Sequence, residues 1–169
     1  MTKIIRPIRI CGDVAYVPLT HGYEAIIDAA DVPLVEVKNW YASVRLNTSY
    51  ARSNVTNGTE RSHVFIHNFL MGNSKGLFVD HIDGDGLNNR RCNMRFATHA
   101  QNMRNARIRC DSTTGFKGTN FHKQSGKWMA RIRVNDKSNY LGLFTSPEEA
   151  HAAYCAASEK YHGEFGRTE

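Results

Sequence analysis

The chain has 169 residues, room for one ordinary domain or two small ones, each of which needs an efficient core because small modules bury proportionately less surface. Twenty-two Lys and Arg stand against sixteen Asp and Glu, a net charge of +6, which favours a polyanionic partner. No apolar run approaches the roughly 20 residues that cross a bilayer, and the four cysteines (Cys11, Cys92, Cys110, Cys155) contain no C-x-x-C pair, so a membrane span, a disulfide framework and a four-cysteine zinc site are all disfavoured.

The N-terminus, "MTKIIRPIRI", lacks the apolar core and cleavage site of a signal peptide, so a cytoplasmic protein with reduced thiols and no membrane partner is expected. The positive charge is local. Residues 104–137 hold nine basic side chains against two acidic ones, whereas residues 138–169 sum to −3.

In chain order, "VAYVPLTHGYEAIID" and "WYASVRLNTSYARSN" show the alternation and β-branched content of short strands. "NVTNGTER" carries an Asn-Gly turn, so the first third predicts a small antiparallel sheet. "VFIHNFLMG" predicts a short apolar helix that buries Val64, Phe65, Phe69 and Leu70. His67 within it reads either as a ligand or as a hydrogen-bonded core histidine.

Next comes "VDHIDGDGLNNRRCNMRFATHAQNMRNAR". "VDHI" predicts a strand, "DGDGLNNRR" a turn-rich loop, and "NMRF" a returning strand. Thr98 and Gln101 have capping-box spacing, so a helix should follow at once. Beyond a polar linker at 107–114, "FKGTNFHK", "KWMARIRVN" and "SNYLGLF" predict a three-stranded meander turned by "QSGK" and "NDKS". The last element, "SPEEAHAAYCAASEKYHGEF", carries Ser146 as N-cap, Pro147 in the first turn, Glu149 to close the capping box and Gly163 at the stop. Ala150, Ala153, Tyr154, Ala157 and Tyr161 recur at helical spacing, so this helix should cover one sheet face. The fold class expected is α+β.

Phosphodiester hydrolysis needs a base for water, a cation for the charge that develops on phosphate and leaving oxygen, and groups that hold the backbone. The Asp-His stretch supplies candidates for all three. His81 has the one imidazole of the loop suited to base work near neutrality. Asp80 offers a carboxylate oxygen and Asn102 a carbonyl oxygen, a hard-donor set that suits Mg2+ (or Mn2+). Neighbours on a strand point to opposite faces, so Asp80 and His81 converge only if a strand end or bulge re-aims one of them. "DGDG" turns and Asn-rich loops also occur for purely structural reasons. Arg90, Arg91 and Arg95 read equally as phosphate-positioning groups and as ion-pair partners of Asp83 or Asp85. A structural zinc set of Cys92, His99 and Cys110 fits no usual ligand spacing.

The stretch "VDHIDGDGLNNRRCNMRFATHAQNMRN" resembles the HNH, or ββα-metal, nuclease motif in the form found in phage and intron-encoded homing endonucleases. The resemblance rests on D-H-I-D-G, then N-M-R at Asn93–Arg95, then an Asn in the following helix. It implies His81 as general base, Asn93 as the residue that braces the loop and orients that base, and Asp80 and Asn102 as metal ligands. Many members have His where this chain has Asn102, and His99 is the rival for that role. "PLTHGYEAIIDAADVPLV", "WYA" and "IHNFLMG" resemble the region preceding the core in such proteins. The domains expected are therefore 1–106, with the motif at 79–106, the linker 107–114, and 115–169.

The last of these is similar to the AP-two/ethylene-response-factor DNA-binding domain, which implies a sheet that lies against double-stranded DNA. In "KWMARIRVN", Trp128, Ala130, Ile132 and Val134 alternate with Lys127, Met129, Arg131 and Arg133, so one face should be apolar and the other cationic. Arg131 and Arg133 suit guanine edges or phosphates, and Lys117, Lys123 and Lys127 suit phosphates. Asn120, His122 and Tyr140 match contact positions of the resembling domain. "GTNFHK" departs from its Arg-rich first strand, so base preference does not carry over. Arg104, Arg107 and Arg109 extend the stripe as a backbone clamp. The expectation is a Mg2+-dependent homing-type DNA endonuclease, with an inactive DNA-binding regulator as the alternative; strand count, target and oligomeric state are left open.

Overall fold

The computed structural model describes residues 6–46, 48–72, 75–108, 112 and 114–168. Arg109 and Cys110 lie outside these residues. By internal packing the chain divides into Met1–His99 and Ala100–Glu169. The class is α+β: small antiparallel sheets, then a three-stranded sheet covered by a C-terminal helix.

In the first unit, β1 (Arg9–Cys11), β2 (Val14–Pro18) and β3 (Glu24–Asp28) form an antiparallel sheet in that order. The register pairs Ala15 with Ile27 and Val17 with Ala25, so each strand turns its small and branched side chains to one buried face. A single helical turn, α1 (Val32–Val35), carries Pro33 near its start. β4 (Tyr41–Ser43), β5 (Tyr50–Asn57) and β6 (Glu60–Phe65) make a second sheet. Its β5–β6 hairpin turns after the Asn57↔Glu60 pair, where Asn-Gly was expected to turn it.

The helix expected in "VFIHNFLMG" is shorter than its apolar run. α2 (Ile66–Met71) starts only at Ile66, because Val64 and Phe65 are used as the last rungs of β6 against Ser53 and Arg52. β7 (Phe78–His81) and β8 (Met94–Ala97) pair next, and Ile82 falls in the turn rather than the strand. α3 (His99–Asn105) begins directly after Thr98.

One core serves the whole first unit. Ala15, Val17, Leu19, Ala25, Ile27, Val35, Trp40, Ala51, Ile66, Leu70 and Met94 pack together, with Val79 and Leu87 against them. The Trp40 indole N–H donates to Val35 O at 2.8 Å, which satisfies the one polar atom of the largest core side chain. The β7–β8 hairpin thus shares its core with the N-terminal sheets.

The second unit holds β9 (Thr119–His122), β10 (Lys127–Val134) and β11 (Lys137–Phe144) in an antiparallel meander, with β10 central. Between the pairs Ala130↔Gly142 and Arg131↔Tyr140 the register shifts, so Leu141 is the extra residue of a bulge, and it packs into the core beneath. α4 (Pro147–His162) is capped as its sequence implies: Glu149 N–H donates to Ser146 Oγ at 3.1 Å. The reciprocal carboxylate of Glu149 takes its bonds from Thr145, at 2.8 Å from the hydroxyl and 3.1 Å from the backbone N–H. Ala150, Tyr154 and Ala157 are buried against the sheet, as is Ile132 from β10. Tyr161, expected on that stripe, is exposed; the four-residue step from Tyr154 runs instead through Ser158 to His162, both buried. No described helix is long and apolar enough to cross a membrane.

Candidate active site and cationic sheet

The 82–93 loop of the first unit is built by its own side chains. Asp85 N–H and Asn93 Nδ2 both donate to Asp83 Oδ1, at 2.8 and 2.9 Å, and Asn88 Nδ2 donates to Asp83 Oδ2 at 2.7 Å. Asn93 also donates to Asn88 O at 2.8 Å and accepts from Asp83 N–H at 3.1 Å. Its amide thus closes the loop on itself. Burial works to raise the Asp83 carboxyl, yet these donors outweigh it and hold the group below its ordinary value. "DGDG" is therefore structural in the way Asx turns are.

The loop is also stitched to β3. Ile26 N–H donates to Leu87 O at 2.8 Å and Asn89 N–H to Ile26 O at 2.7 Å. Arg90 Nε meets Asp28 at 2.8 Å and its Nη2 meets Asp13 at 2.6 Å; Arg91 forks Asp31 with Nη2 and Nε at 2.8 and 3.0 Å. The two arginines accordingly pair with acids of the N-terminal sheet region and not with Asp83 or Asp85. Sequence distance hides these partners, about sixty to eighty residues upstream.

His81 ends β7 and is buried, as is Asp80 beside it. Their side chains have different partners. Asp80 sits opposite Arg95 in the ladder, and Arg95 Nε donates to its Oδ2 at 3.0 Å. His81 Nε2 lies 3.1 Å from Asn89 Oδ1. Around the same ring stand His67, perpendicular with centroids 5.1 Å apart, and Tyr50 at 6.0 Å. Phe65 stacks on the other histidine at 5.3 Å. Desolvation lowers the His81 pKa, against the pull of the Asn89 bond and of the charges on Asp83, Asp80 and Asp85. Gly86 lets the loop cross Tyr50, since a Cβ there would lie 2.5 Å from the Tyr50 ring and from Ser49 O.

His67 thus proves to be a core residue of the aromatic cluster, and burial pushes its pKa down to about 3. His99 is exposed and its ring lies 5.9 Å from Phe78. Cys92 is exposed, and the third member of the zinc alternative, Cys110, is outside the described residues. Among the described residues no three His, Cys, Asp or Glu side chains cluster as metal ligands. Asn102 is the fourth residue of α3, partly exposed. Asn89, Tyr50 and His67 were not expected at the site: "LNNRR" gives no sign of which Asn faces inward, and Tyr50 and His67 reach His81 only through the fold.

In the second unit the meander does place a set of the expected residues on one face. Asn120, Met129 and Leu143 are cross-strand partners, as are His122 with Lys127, Arg131 with Tyr140 and Arg133 with Ser138. Ala130 and Ile132 between them are buried under α4, so the alternate residues face outward; Lys127, Arg131, Arg133, Asn120 and Tyr140 are exposed. Lys123 is exposed in the β9–β10 turn and Arg107 is exposed after α3. Lys117, expected among the phosphate contacts, is placed elsewhere. Its ammonium donates to Arg104 O at 2.8 Å and Arg167 O at 3.0 Å, and burial lowers its pKa to about 8.

Comparison with known proteins gives this geometry a class. A family model described as HNH endonuclease matches residues 63–104, the span from β6 through the β7–loop–β8 hairpin into α3. The chain therefore carries an HNH endonuclease domain. It is 30% identical to Protein 3.8 of Escherichia phage T7 over 93 residues, 55% of this chain and 76% of that protein, and it belongs to the same family. It is also 27% identical over 146 residues to an uncharacterized HNH endonuclease of Acanthamoeba polyphaga mimivirus, covering 85% of this chain and 73% of the other. A 50-residue match at 46% identity relates 28% of the chain to an AP2-like ethylene-responsive transcription factor of Oryza sativa subsp. japonica, of which it spans 8%. No solved structure matches.

Proposed function

We propose that this protein is a metal-dependent, homing-type DNA endonuclease in which His81 is the general base. The observation that carries the reading is the placement of His81: a buried, neutral-leaning imidazole at a strand end, held at Nε2 by Asn89 beside a loop that Asn93 braces, inside the HNH-matching span. A base that must take a proton from water near neutrality works best when it is uncharged and held in one orientation. Asn93 acts through the loop, keeping the 82–93 segment in the form that presents His81.

Asp80 and Asn102 are the residues proposed to hold the cation. Carboxylate and carboxamide oxygens without a thiolate fit Mg2+, with Mn2+ as its substitute. Such an ion would neutralise charge on the phosphate and on the departing oxygen. The cationic face of β9–β11, with Arg131, Arg133, Lys127, Asn120, His122 and Tyr140, is proposed to lie against double-stranded DNA, with Lys123, Arg104 and Arg107 on its phosphates. Its support is the exposed, one-sided placement of the basic residues and the short AP2-like match.

The test is incubation of supercoiled plasmid with Mg2+, comparing wild type with His81→Ala. Loss of cleavage with DNA binding retained supports the enzyme, and the ratio of open-circular to linear product reads nicking against double-strand cutting. Binding by wild type without cleavage under Mg2+ or Mn2+ would instead make the chain a DNA-binding regulator.

A further inference from the structure

We infer that Asn89 is a positioning residue for the His81 imidazole: its side-chain oxygen accepts a hydrogen bond from a protonated Nε2 and so fixes the tautomer in which Nδ1 is the basic nitrogen. The use of that nitrogen rests on the nuclease reading above; the tautomer itself does not.

The atoms of Asn89 can be assigned from its own bonds. Nδ2 donates to Leu87 O at 2.9 Å and reaches Gly86 O at 3.5 Å, and both are carbonyls that only accept. The amide nitrogen is thereby turned to the loop, and the oxygen is the atom 3.1 Å from His81 Nε2. A carboxamide oxygen has no proton to give. The ring nitrogen must therefore carry one, and in a neutral imidazole that leaves Nδ1 unprotonated. A flipped Asn89 would set its oxygen against the Leu87 and Gly86 carbonyls, two repulsive contacts in place of two hydrogen bonds.

The clamp is itself fixed. Asn89 is fully buried, and its backbone N–H is spent on Ile26 O at 2.7 Å, so β3 sets its position. His67 and Tyr50 against the His81 ring, at 5.1 and 6.0 Å, oppose rotation about its side-chain bonds. Asn93, the residue the motif suggests for orienting the base, spends its amide on Asp83 and Asn88. The division of labour is that Asn93 shapes the loop and Asn89 holds the ring.

The experiment is a long-range 1H–15N correlation spectrum of the full chain labelled at histidine nitrogen, on wild type, Asn89→Leu and Asn89→Asp, with cleavage kinetics on the same samples. Wild-type His81 is expected to show a protonated Nε2 and an unprotonated Nδ1. Asn89→Leu, which keeps the volume and removes the acceptor, is expected to mix the tautomers and to lower kcat roughly 10- to 100-fold, the range seen when a supporting hydrogen bond to a functional His is lost, with KM for DNA unchanged. Asn89→Asp keeps an oxygen towards Nε2 but sets its second oxygen against the Leu87 and Gly86 carbonyls, so it should keep the proton on Nε2 while lowering stability. A wild-type spectrum with the proton on Nδ1 overturns the inference, and so does a folded Asn89→Leu protein with unaltered tautomer and kcat. Should Asn89→Leu fail to fold, the wild-type and Asn89→Asp spectra still decide. The expected spectra from a protein that binds DNA and never cuts it would uphold the clamp while refuting the nuclease reading.

Discussion

Asp80 and Arg95 face each other across the β7–β8 ladder, joined by an Nε–Oδ2 bond of 3.0 Å, with side chains only 4% and 13% exposed. Removing one member leaves a charge out of water without its partner, which costs far more than a surface pair is worth. Arg95→Met is expected to destabilise the protein by about 3 kcal/mol in urea denaturation. In the Asp80→Asn/Arg95→Met double variant the loss should be smaller than the sum of the two single losses. Strict additivity would show that the pair does not interact in solution.

Acid sensitivity should trace to His67. Its folded pKa is pulled by burial, and further by His81 beside it, from 6.5 to about 3. An unfolded chain protonates this group as pH falls below 6.5, while the folded chain holds it neutral until about 3. The stability it contributes is thus complete above 6.5 and drains away between 6.5 and 3, at up to about 1.4 kcal/mol per pH unit. His67→Phe should flatten the fall in unfolding free energy between pH 7 and pH 5. An unchanged slope would mean that another group is responsible.

Gly118 has φ +73°, and a Cβ on it would lie 2.0 Å from Tyr154 Cδ2. Gly118→Ala combines a left-handed backbone strain with a collision against a buried ring of α4, so the second unit should lose about 2 kcal/mol or more. Thermal melting followed at Trp128 would read it. In contrast, Gly126→Ala carries only the backbone strain, since nothing lies within 4 Å of a Cβ there, and should cost less.

Salt dependence of DNA binding separates the sheet face from Lys117. Arg131→Ala and Arg133→Ala together should reduce the slope of log affinity against log salt by about 1.8, if each arginine neutralises one phosphate. Lys117→Met should leave that slope unaltered and lower the melting temperature, because its ammonium bonds carbonyls of Arg104 and Arg167. Fluorescence anisotropy on a labelled duplex, between 50 and 200 mM salt, distinguishes the two behaviours. Equal slopes for the double arginine variant and wild type would remove the sheet from the interface.

Much of the architecture was legible because its signals are local. Alternation in "KWMARIRVN" and the Ser146-Pro147 start of α4 act over a few residues, so their register and boundary follow from side-chain period and capping chemistry. The β7–loop–β8–α3 order was legible for the same reason. Where tertiary packing competed, the reading slipped: β6 drew Val64 and Phe65 out of the expected helix, and Ser158 and His162 took the buried stripe from Tyr161.

By itself the sequence determined an α+β chain with a strand-loop-strand-helix motif and a cationic strand face downstream, and it offered His81, Asp80, Asn93 and Asn102 as the residues proposed for an HNH-type site. Only the tertiary structure decided who holds whom. Arg90 and Arg91 went to Asp13, Asp28 and Asp31, Arg95 to Asp80, Lys117 to two carbonyls, and the His81 ring to Asn89, His67 and Tyr50. The physical reason is that residue type and spacing set what a side chain can do. Its partner is set by the burial and register of segments up to nearly eighty residues apart, which no local pattern encodes.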